Sequence, residues 1–87
     1  PEEDRKRIID IALGETGVLG LHDLRTRSSG MNLFIQFHLD MDGAITLSAA
    51  HAISEAVMYK VEKAFPNADV LIHEDPLGVE ERRLDLD

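Results

Sequence analysis

The 87-residue sequence contains no cysteine, so disulfide bonds and thiolate metal sites are both excluded. Aromatic residues make up only 5 % of the chain, and a small core with few rings often depends on a partner subunit or a metal ion for additional stability. The sequence also lacks an apolar run of the roughly 18 residues that a membrane-spanning helix needs. The 44 % hydrophobic content is nevertheless typical of a globular domain.

The sequence also contains few basic residues. Nine Lys and Arg residues stand against 17 Asp and Glu residues, which gives a formal net charge of −8. Nucleic acids require a basic protein surface, so the charge disfavours nucleic-acid partners and favours cations. The six glycines are scattered, so no phosphate-binding loop is indicated. Ser28, Ser29 and Ser48 have no evident base beside them, so nucleophilic catalysis is not supported.

Hydrophobic periodicity predicts five elements in the order α-β-β-α-β. They are a helix over 2–14, strands over 21–27 and 32–41, a helix from the N-cap Thr46 to about Phe65, and a strand over 68–75. A hairpin followed by a helical crossover predicts an α+β sandwich: a three-stranded mixed sheet with both helices on one face.

The predicted domain covers residues 1–78, and the charged stretch 79–87 is expected to form a mobile tail. Because the sequence begins at Pro1 without a methionine and opens on a charged helix, we expect a fragment of a longer protein.

Side-chain alternation places three potential metal ligands on the face of the sheet that is turned away from the helices, called the helix-free face below. They are His38 on the second strand and His73 and Asp75 on the third. A His-x-Asp pair on a strand has both side chains on one face, about 6.5–7 Å apart along the chain. Imidazole with carboxylate suits Zn²⁺, although ligand softness does not separate Zn²⁺ from Fe²⁺, Co²⁺ or Cd²⁺. The alternative is a solvated strand end.

Two further histidines are not placed by pattern alone. If Leu24 packs inward, strict alternation turns His22 inward too, although His22 lies at the start of its strand, where the pleat need not hold. His51 lies in the first turns of the second helix and would have to reach around a sheet edge or come from a partner subunit. The apolar Phe34 and Leu71 on the helix-free face favour a dimer.

Four stretches, "HDLRTRSSG", "FIQFHLDMDG", "AAHAISEAV" and "FPNADVLIHEDP", resemble the C-terminal cytoplasmic domain of bacterial cation diffusion facilitators of the zinc/ferrous-iron efflux type. The resemblance covers residues 2–77 and implies a ferredoxin-like, metallochaperone-like αββαβ module. In that family the module dimerises beneath a transmembrane bundle that exchanges Zn²⁺ or a related ion for protons.

The resemblance also implies a two-metal site. The matching ligands are His22, His38, His51, His73 and Asp75. Asp75 would bridge the two ions, with His38 and His73 beside one ion and His22 and His51 beside the other. Where the family often has Gln, this chain has Glu74, which alternation turns to the opposite face of the sheet.

The leading hypothesis is therefore a regulatory domain, not an enzyme. It would bind Zn²⁺, or alternatively Fe²⁺, Cd²⁺, Co²⁺ or Mn²⁺, and form a homodimer at the cytoplasmic side of the bacterial inner membrane, joined to a transmembrane domain. Two alternatives remain open: a soluble metal carrier, and a regulatory module of similar fold that binds a small organic molecule.

Overall fold

The computed structural model describes residues 2–77, which form five elements. They are α1 (Glu2–Leu13), β1 (Gly20–Ser29), β2 (Asn32–Asp42), α2 (Leu47–Ala64) and β3 (Ala68–Leu77). The predicted order of elements is confirmed. The predicted tail over 79–87, and with it the domain boundary after residue 78, lie outside the described residues.

The three strands form one mixed sheet in which β2 is central, antiparallel to β1 and parallel to β3. Gly30, with a φ of 60°, provides the left-handed conformation that the β1–β2 turn requires. The crossover from β2 to β3 runs through α2. Its predicted N-cap is confirmed, because Thr46 Oγ1 accepts a hydrogen bond of 3.0 Å from the Ala49 N–H.

The core lies between the helices and one face of β2. The fully buried apolar residues are Ile8 and Ala12 of α1, Ile35, Phe37, Leu39 and Met41 of β2, and Val57 and Val61 of α2. Alternate residues of a strand point to opposite faces, so the even-numbered residues of β2 lie on the helix-free face. The prediction of two helices on one face of a three-stranded mixed sheet is confirmed.

Strand register arranges the helix-free face as four rows that cross the sheet from β1 to β3. In order along β2 they are Arg27–Phe34–Asp69, Arg25–Gln36–Leu71, His22–His38–His73 and Gly20–Asp40–Asp75. We call the third of these the histidine row. The two rows at one end of the face thus carry both arginines and the apolar Phe34 and Leu71, together with Gln36 and Asp69, whereas the two rows at the other end carry the histidines, Asp40 and Asp75.

A β-bulge in β1 explains why His22 lies on the helix-free face. His22 pairs with His38 and Arg25 pairs with Gln36, so three steps along β1 correspond to two steps along β2. The extra residue allows the half-buried Leu21 and Leu24 both to pack toward the core while His22 points away from it. Strict alternation therefore does not hold here, and the inward orientation that it would give His22 is replaced by the outward one.

Two features stabilise the bulge: the residue type at its left-handed position and a hydrogen bond from α1. Asp23 has a φ of 57°, the left-handed conformation that Asp tolerates better than most residues. The Arg5 guanidinium of α1 donates a hydrogen bond of 3.1 Å from Nη1 to the Leu24 carbonyl oxygen. This bond satisfies a backbone acceptor at the point where the regular ladder is interrupted.

β3 extends two residues beyond its predicted end at Asp75, through Pro76 to Leu77. Pro76 is aligned with Met41 of β2. Proline cannot donate to a strand ladder, but it is tolerated in an edge strand such as β3, which has one side without a neighbouring strand.

The bulge predicts an unusual response to glycine at position 23. We expect Asp23→Gly to keep or slightly raise the free energy of unfolding, because glycine adopts a positive φ without steric cost. Asp23→Val should lower it by about 1–2 kcal/mol, since a β-branched residue is strained in this conformation. Urea unfolding measures both variants.

Arg25→Gly is the matched control, since residue 25 lies in regular strand structure on the far side of the bulge. Glycine there should cost roughly 0.5–1 kcal/mol. Equal losses for glycine at positions 23 and 25 would contradict the assigned backbone conformation.

Candidate metal centre

The histidine row is a continuous stack of imidazole rings, one from each strand. The ring centroids of His22 and His38 lie 4.8 Å apart, with their planes inclined by 24°. Those of His38 and His73 lie 4.6 Å apart, inclined by 17°. Neighbouring strands are separated by about 4.7–4.9 Å, so the stacking distances follow directly from the register.

Asp75 brings two of the rings together around one oxygen atom. Its Oδ2 lies 3.1 Å from Nδ1 of His38 and 3.2 Å from Nε2 of His22. Asp75 lies on β3, in the row next to the histidine row, so its carboxylate reaches across the sheet to both rings. Two nitrogen atoms and a carboxylate oxygen thus converge from three strands.

This group, called the triad below, has the dimensions of a divalent metal site. One donor atom from each of His22, His38 and Asp75 lies within 4.8 Å of the other two. Ligands held at about 2.0–2.1 Å by a tetrahedral zinc ion are roughly 3.3 Å from one another. The contacts of 3.1 and 3.2 Å to Asp75 are close to that value, so each of the two histidines could share an ion with the Asp75 carboxylate.

The triad is open to solvent on one side. The side chains of His38, Asp75 and His22 are 25 %, 36 % and 47 % exposed. An ion can therefore reach the donors from water, while the sheet beneath them holds their backbones in place. Neutral imidazole and carboxylate are both suited to zinc and its divalent neighbours.

The two remaining predicted ligands lie in different positions. His73 belongs to the histidine row and stacks on His38, but its ring is not one of the three donors in the triad. His51 is exposed on α2 and pairs through Nε2 with Glu55 Oε1, at 3.1 Å, one helical turn further on. Of the five predicted residues, the structure therefore gathers four on the helix-free face and leaves His51 on α2, with His73 and His51 both outside the triad.

Asp40 is a member of this cluster that the sequence-based prediction omitted. Its carboxylate oxygens lie 3.1 and 3.2 Å from Nδ1 of His22, and its side chain is only 18 % exposed. Alternation already places Asp40 on the helix-free face, two positions after His38. The sequence therefore indicated the face on which Asp40 lies. Its contact with His22 could not be predicted, because it depends on the bulge that directs His22 to the same face.

Comparison with known proteins gives a family assignment. The family model for "Cation efflux protein, cytoplasmic domain" matches residues 1–77. The chain belongs to this family. The resemblance found in the sequence is thereby confirmed, and membership favours the transporter interpretation over the small-molecule module and the soluble carrier.

Individual relatives agree with this assignment. The cation-efflux pump FieF of Shewanella oneidensis is 51 % identical over 79 residues, which cover 91 % of this chain and 27 % of FieF. A structure of CzrB, a candidate zinc transporter, has 31 % sequence identity and a TM-score of 0.82, and the match covers 90 % of this chain and 98 % of the chain in that structure. The nickel form of a MamM CTD variant has 27 % identity and a TM-score of 0.80, covering 87 % and 98 % of the two chains.

The structural matches confirm the metallochaperone-like αββαβ fold. The chain spans about a quarter of the length of the curated relatives that it matches. Within residues 2–77, neither helix combines the length and the apolar character needed to cross a bilayer.

The stack predicts that His73 stabilises the domain through its ring even without metal. In the presence of a chelator, His73→Phe should keep the free energy of unfolding within about 0.5 kcal/mol of the wild-type value, because the phenyl ring can still stack on His38. His73→Ala should lose roughly 0.5–1 kcal/mol more than His73→Phe. Chemical unfolding in chelator measures both; equal stabilities for the two variants would contradict a stabilising stack.

Proposed function

We propose that this domain binds divalent metal ions, Zn²⁺ foremost, on the helix-free face, and that the bound ions control how two copies associate and thereby regulate an attached cation transporter. The observation that carries the proposal is the convergence of His22, His38 and Asp75 on one point in a member of the cation efflux family. CzrB is a candidate zinc transporter, and nickel and manganese forms exist for MamM, which supports divalent ions as the ligand class. The role is binding and regulation, not catalysis.

The triad is the core of the proposed site. Because His22 and His38 approach Asp75 from two different strands, the Asp75 carboxylate can bridge two ions, each with a different histidine. His73 and His51 are the proposed additional ligands. His51 joins by exchanging its exposed contact with Glu55 for an ion, a small cost because exposed ion pairs are worth only about 0–1 kcal/mol.

The other half of the helix-free face has the character of an interface. Leu71 is 54 % exposed, and the Phe34 ring is covered on the described part of the chain by the Arg27 guanidinium, 5.7 Å from the ring centroid. Apolar groups beside arginine side chains are typical of the centre of a protein–protein contact. The proposed occupant is a second copy of this domain.

Charge complementarity favours one arrangement of the two copies. A two-fold axis parallel to β2, lying between two helix-free faces, places β1 of one copy over β3 of the other. Because this rotation does not change a residue's position along the axis, each row of one copy lies opposite the same row of the other copy. Arg27 then faces Asp69 of the second copy, twice by symmetry, and the two Phe34 side chains meet near the axis.

Metal binding and association are coupled in this arrangement. The same rotation brings the two histidine rows opposite each other, and each chain carries a net charge of −8 that opposes close approach. Divalent ions held between the faces offset this repulsion. They shift the equilibrium only to the extent that they bind the close pair more tightly than the separated chains.

Zn²⁺ titration tests the proposed site. The wild-type chain should bind Zn²⁺ with a rise in melting temperature, because an ion that binds only the folded state stabilises it by mass action. Asp75→Ala should lower the affinity by more than roughly 100-fold, since loss of a direct ligand exceeds the 10–100-fold effect of supporting residues. Calorimetry and thermal unfolding provide the measurements.

Glu74→Gln is the matched control, because it removes a neighbouring carboxylate on the opposite face of β3 and should bind Zn²⁺ nearly as the wild type does. If the wild type takes up no Zn²⁺, or if Asp75→Ala responds as Glu74→Gln does, the proposed metal site is wrong.

A charge exchange tests the proposed pairing of faces. Arg27→Asp and Asp69→Arg should each weaken Zn²⁺-dependent dimerisation, by roughly 5–50-fold in the dissociation constant, since each places like charges opposite one another twice in the dimer. The double variant Arg27→Asp/Asp69→Arg should recover most of the loss. Sedimentation in the presence of Zn²⁺ measures the three constants.

The Zn²⁺ affinity of the triad within a single chain should change little in these variants, because residues 27 and 69 lie two rows away from the histidine row. Additive losses without recovery in the double variant would contradict the two-fold arrangement while leaving the metal site intact.

A further inference from the structure

His22 is held between two carboxylates, one at each ring nitrogen. Nδ1 lies 3.1 Å from Oδ1 and 3.2 Å from Oδ2 of Asp40, and Nε2 lies 3.2 Å from Oδ2 of Asp75. The two carboxylates come from different strands and lie side by side in the row next to the histidine row. The two contacts are therefore chemically alike, but only the one on Nε2 belongs to the triad.

The contact with Asp40 selects a tautomer. A carboxylate can only accept hydrogen bonds, and both of its oxygens here approach the same ring nitrogen, so Nδ1 must carry the hydrogen. Neutral imidazole has one N–H, which leaves Nε2 with its lone pair exposed. That lone pair faces the Asp75 oxygen, and two acceptors at 3.2 Å attract each other only with a proton or a metal cation between them.

Gly20 makes the position of Asp40 possible. It is the member of the fourth row on β1, directly opposite Asp40. A Cβ at residue 20 would lie 2.9 Å from Oδ2 of Asp40, closer than the two atoms can approach. The atom in conflict is the end of a side chain, so a larger residue at position 20 would displace the carboxylate rather than the strand.

The backbone supports the same assembly. The Leu19 N–H donates a hydrogen bond of 2.8 Å to the carbonyl oxygen of Asp40, which ties the start of β1 to this residue. With the low exposure of its side chain, 18 %, Asp40 is held more firmly than a surface carboxylate would be. It is therefore suited to orient a neighbouring ring.

We propose that Asp40 is a positioning residue of the metal site: it fixes His22 as the Nδ1–H tautomer and aims Nε2 at the ion, with Gly20 providing the space for its carboxylate. The inference rests on the proposed metal function of the triad. Histidine ligands commonly donate their second ring N–H to a carboxylate, which fixes the ring and increases the basicity of the ligating nitrogen. Asp40 would perform this role without contacting the ion.

The experiment measures Zn²⁺ affinity by calorimetry in four chains: wild type, Asp40→Asn, Gly20→Ala and the double variant. Removal of such a supporting contact typically costs 10–100-fold in metal affinity, and we expect both single variants to lose at least about tenfold. The double variant should lose no more than Asp40→Asn does, because Gly20→Ala acts only by displacing the carboxylate. Glu74→Gln again controls for the loss of one nearby charge and should remain close to wild type.

Imidazole ¹⁵N NMR separates positioning from direct ligation and from a merely structural role. In the Zn²⁺-loaded wild type, His22 should show a protonated Nδ1 and a metal-bound Nε2. In the metal-free wild type at neutral pH, the neutral form of His22 should already be predominantly the Nδ1–H tautomer, and Asp40→Asn should reduce that preference while leaving the fold intact by amide chemical shifts.

Three results would overturn the inference: wild-type affinity in Asp40→Asn, a metal-bound Nδ1 in His22, or fully additive losses in the double variant. Each of these can occur while the wild type binds Zn²⁺ and Asp75→Ala does not, so the positioning role can fail while the metal site stands. If the wild type binds no Zn²⁺, both the proposed metal function and the proposed role of Asp40 are wrong.

Discussion

The register of three strands is the constraint on which the candidate site depends. His22, His38 and His73 come from distant parts of the chain, and they meet because each occupies the same row of one sheet face. The row is anchored from the opposite side, where the buried residues of β2 pack against both helices. A slip of one residue would turn an entire set of side chains to the other face, so the core that stabilises the domain also fixes the donors.

The bulge in β1 shows how local backbone geometry is used to complete that row. Regular alternation could not place Leu21 and Leu24 toward the core and His22 away from it on one strand. The extra residue resolves the conflict, at the cost of a left-handed conformation at Asp23 and an interrupted ladder. Arg5 reaches from α1 to the Leu24 carbonyl, so the first helix contributes to the placement of a candidate ligand with which it has no sequence proximity.

Alternation was sufficient to predict the fold and the orientation of His38, His73 and Asp75, because β2 and β3 are regular where these residues lie. It left His22 open because a bulge has no strict sequence signature when Asp rather than Gly takes the left-handed position. Asp40 was placed on the correct face but not in the site, since its role depends on the ring of His22. His51 shows the remaining limit: its place on α2 was predictable, whereas its proposed part in the site depends on an ion that replaces its contact with Glu55.

Within the described residues, the cluster provides nitrogen and oxygen donor atoms but no Lys or Arg side chain to neutralise its carboxylates, and a divalent cation suits both features. Around His22 and His38, the described groups nearest the ring nitrogens are carboxylates, and no Lys or Arg among residues 2–77 forms an ion pair with Asp40 or Asp75. In a chain with a net charge of −8, the carboxylates of this cluster therefore receive little neutralisation from basic side chains of the described residues. An ion placed between the imidazole lone pair and the carboxylate turns this unfavourable contact into two coordinate bonds. The same ion reduces the repulsion between two acidic faces, so a single binding event can both complete the site and favour association.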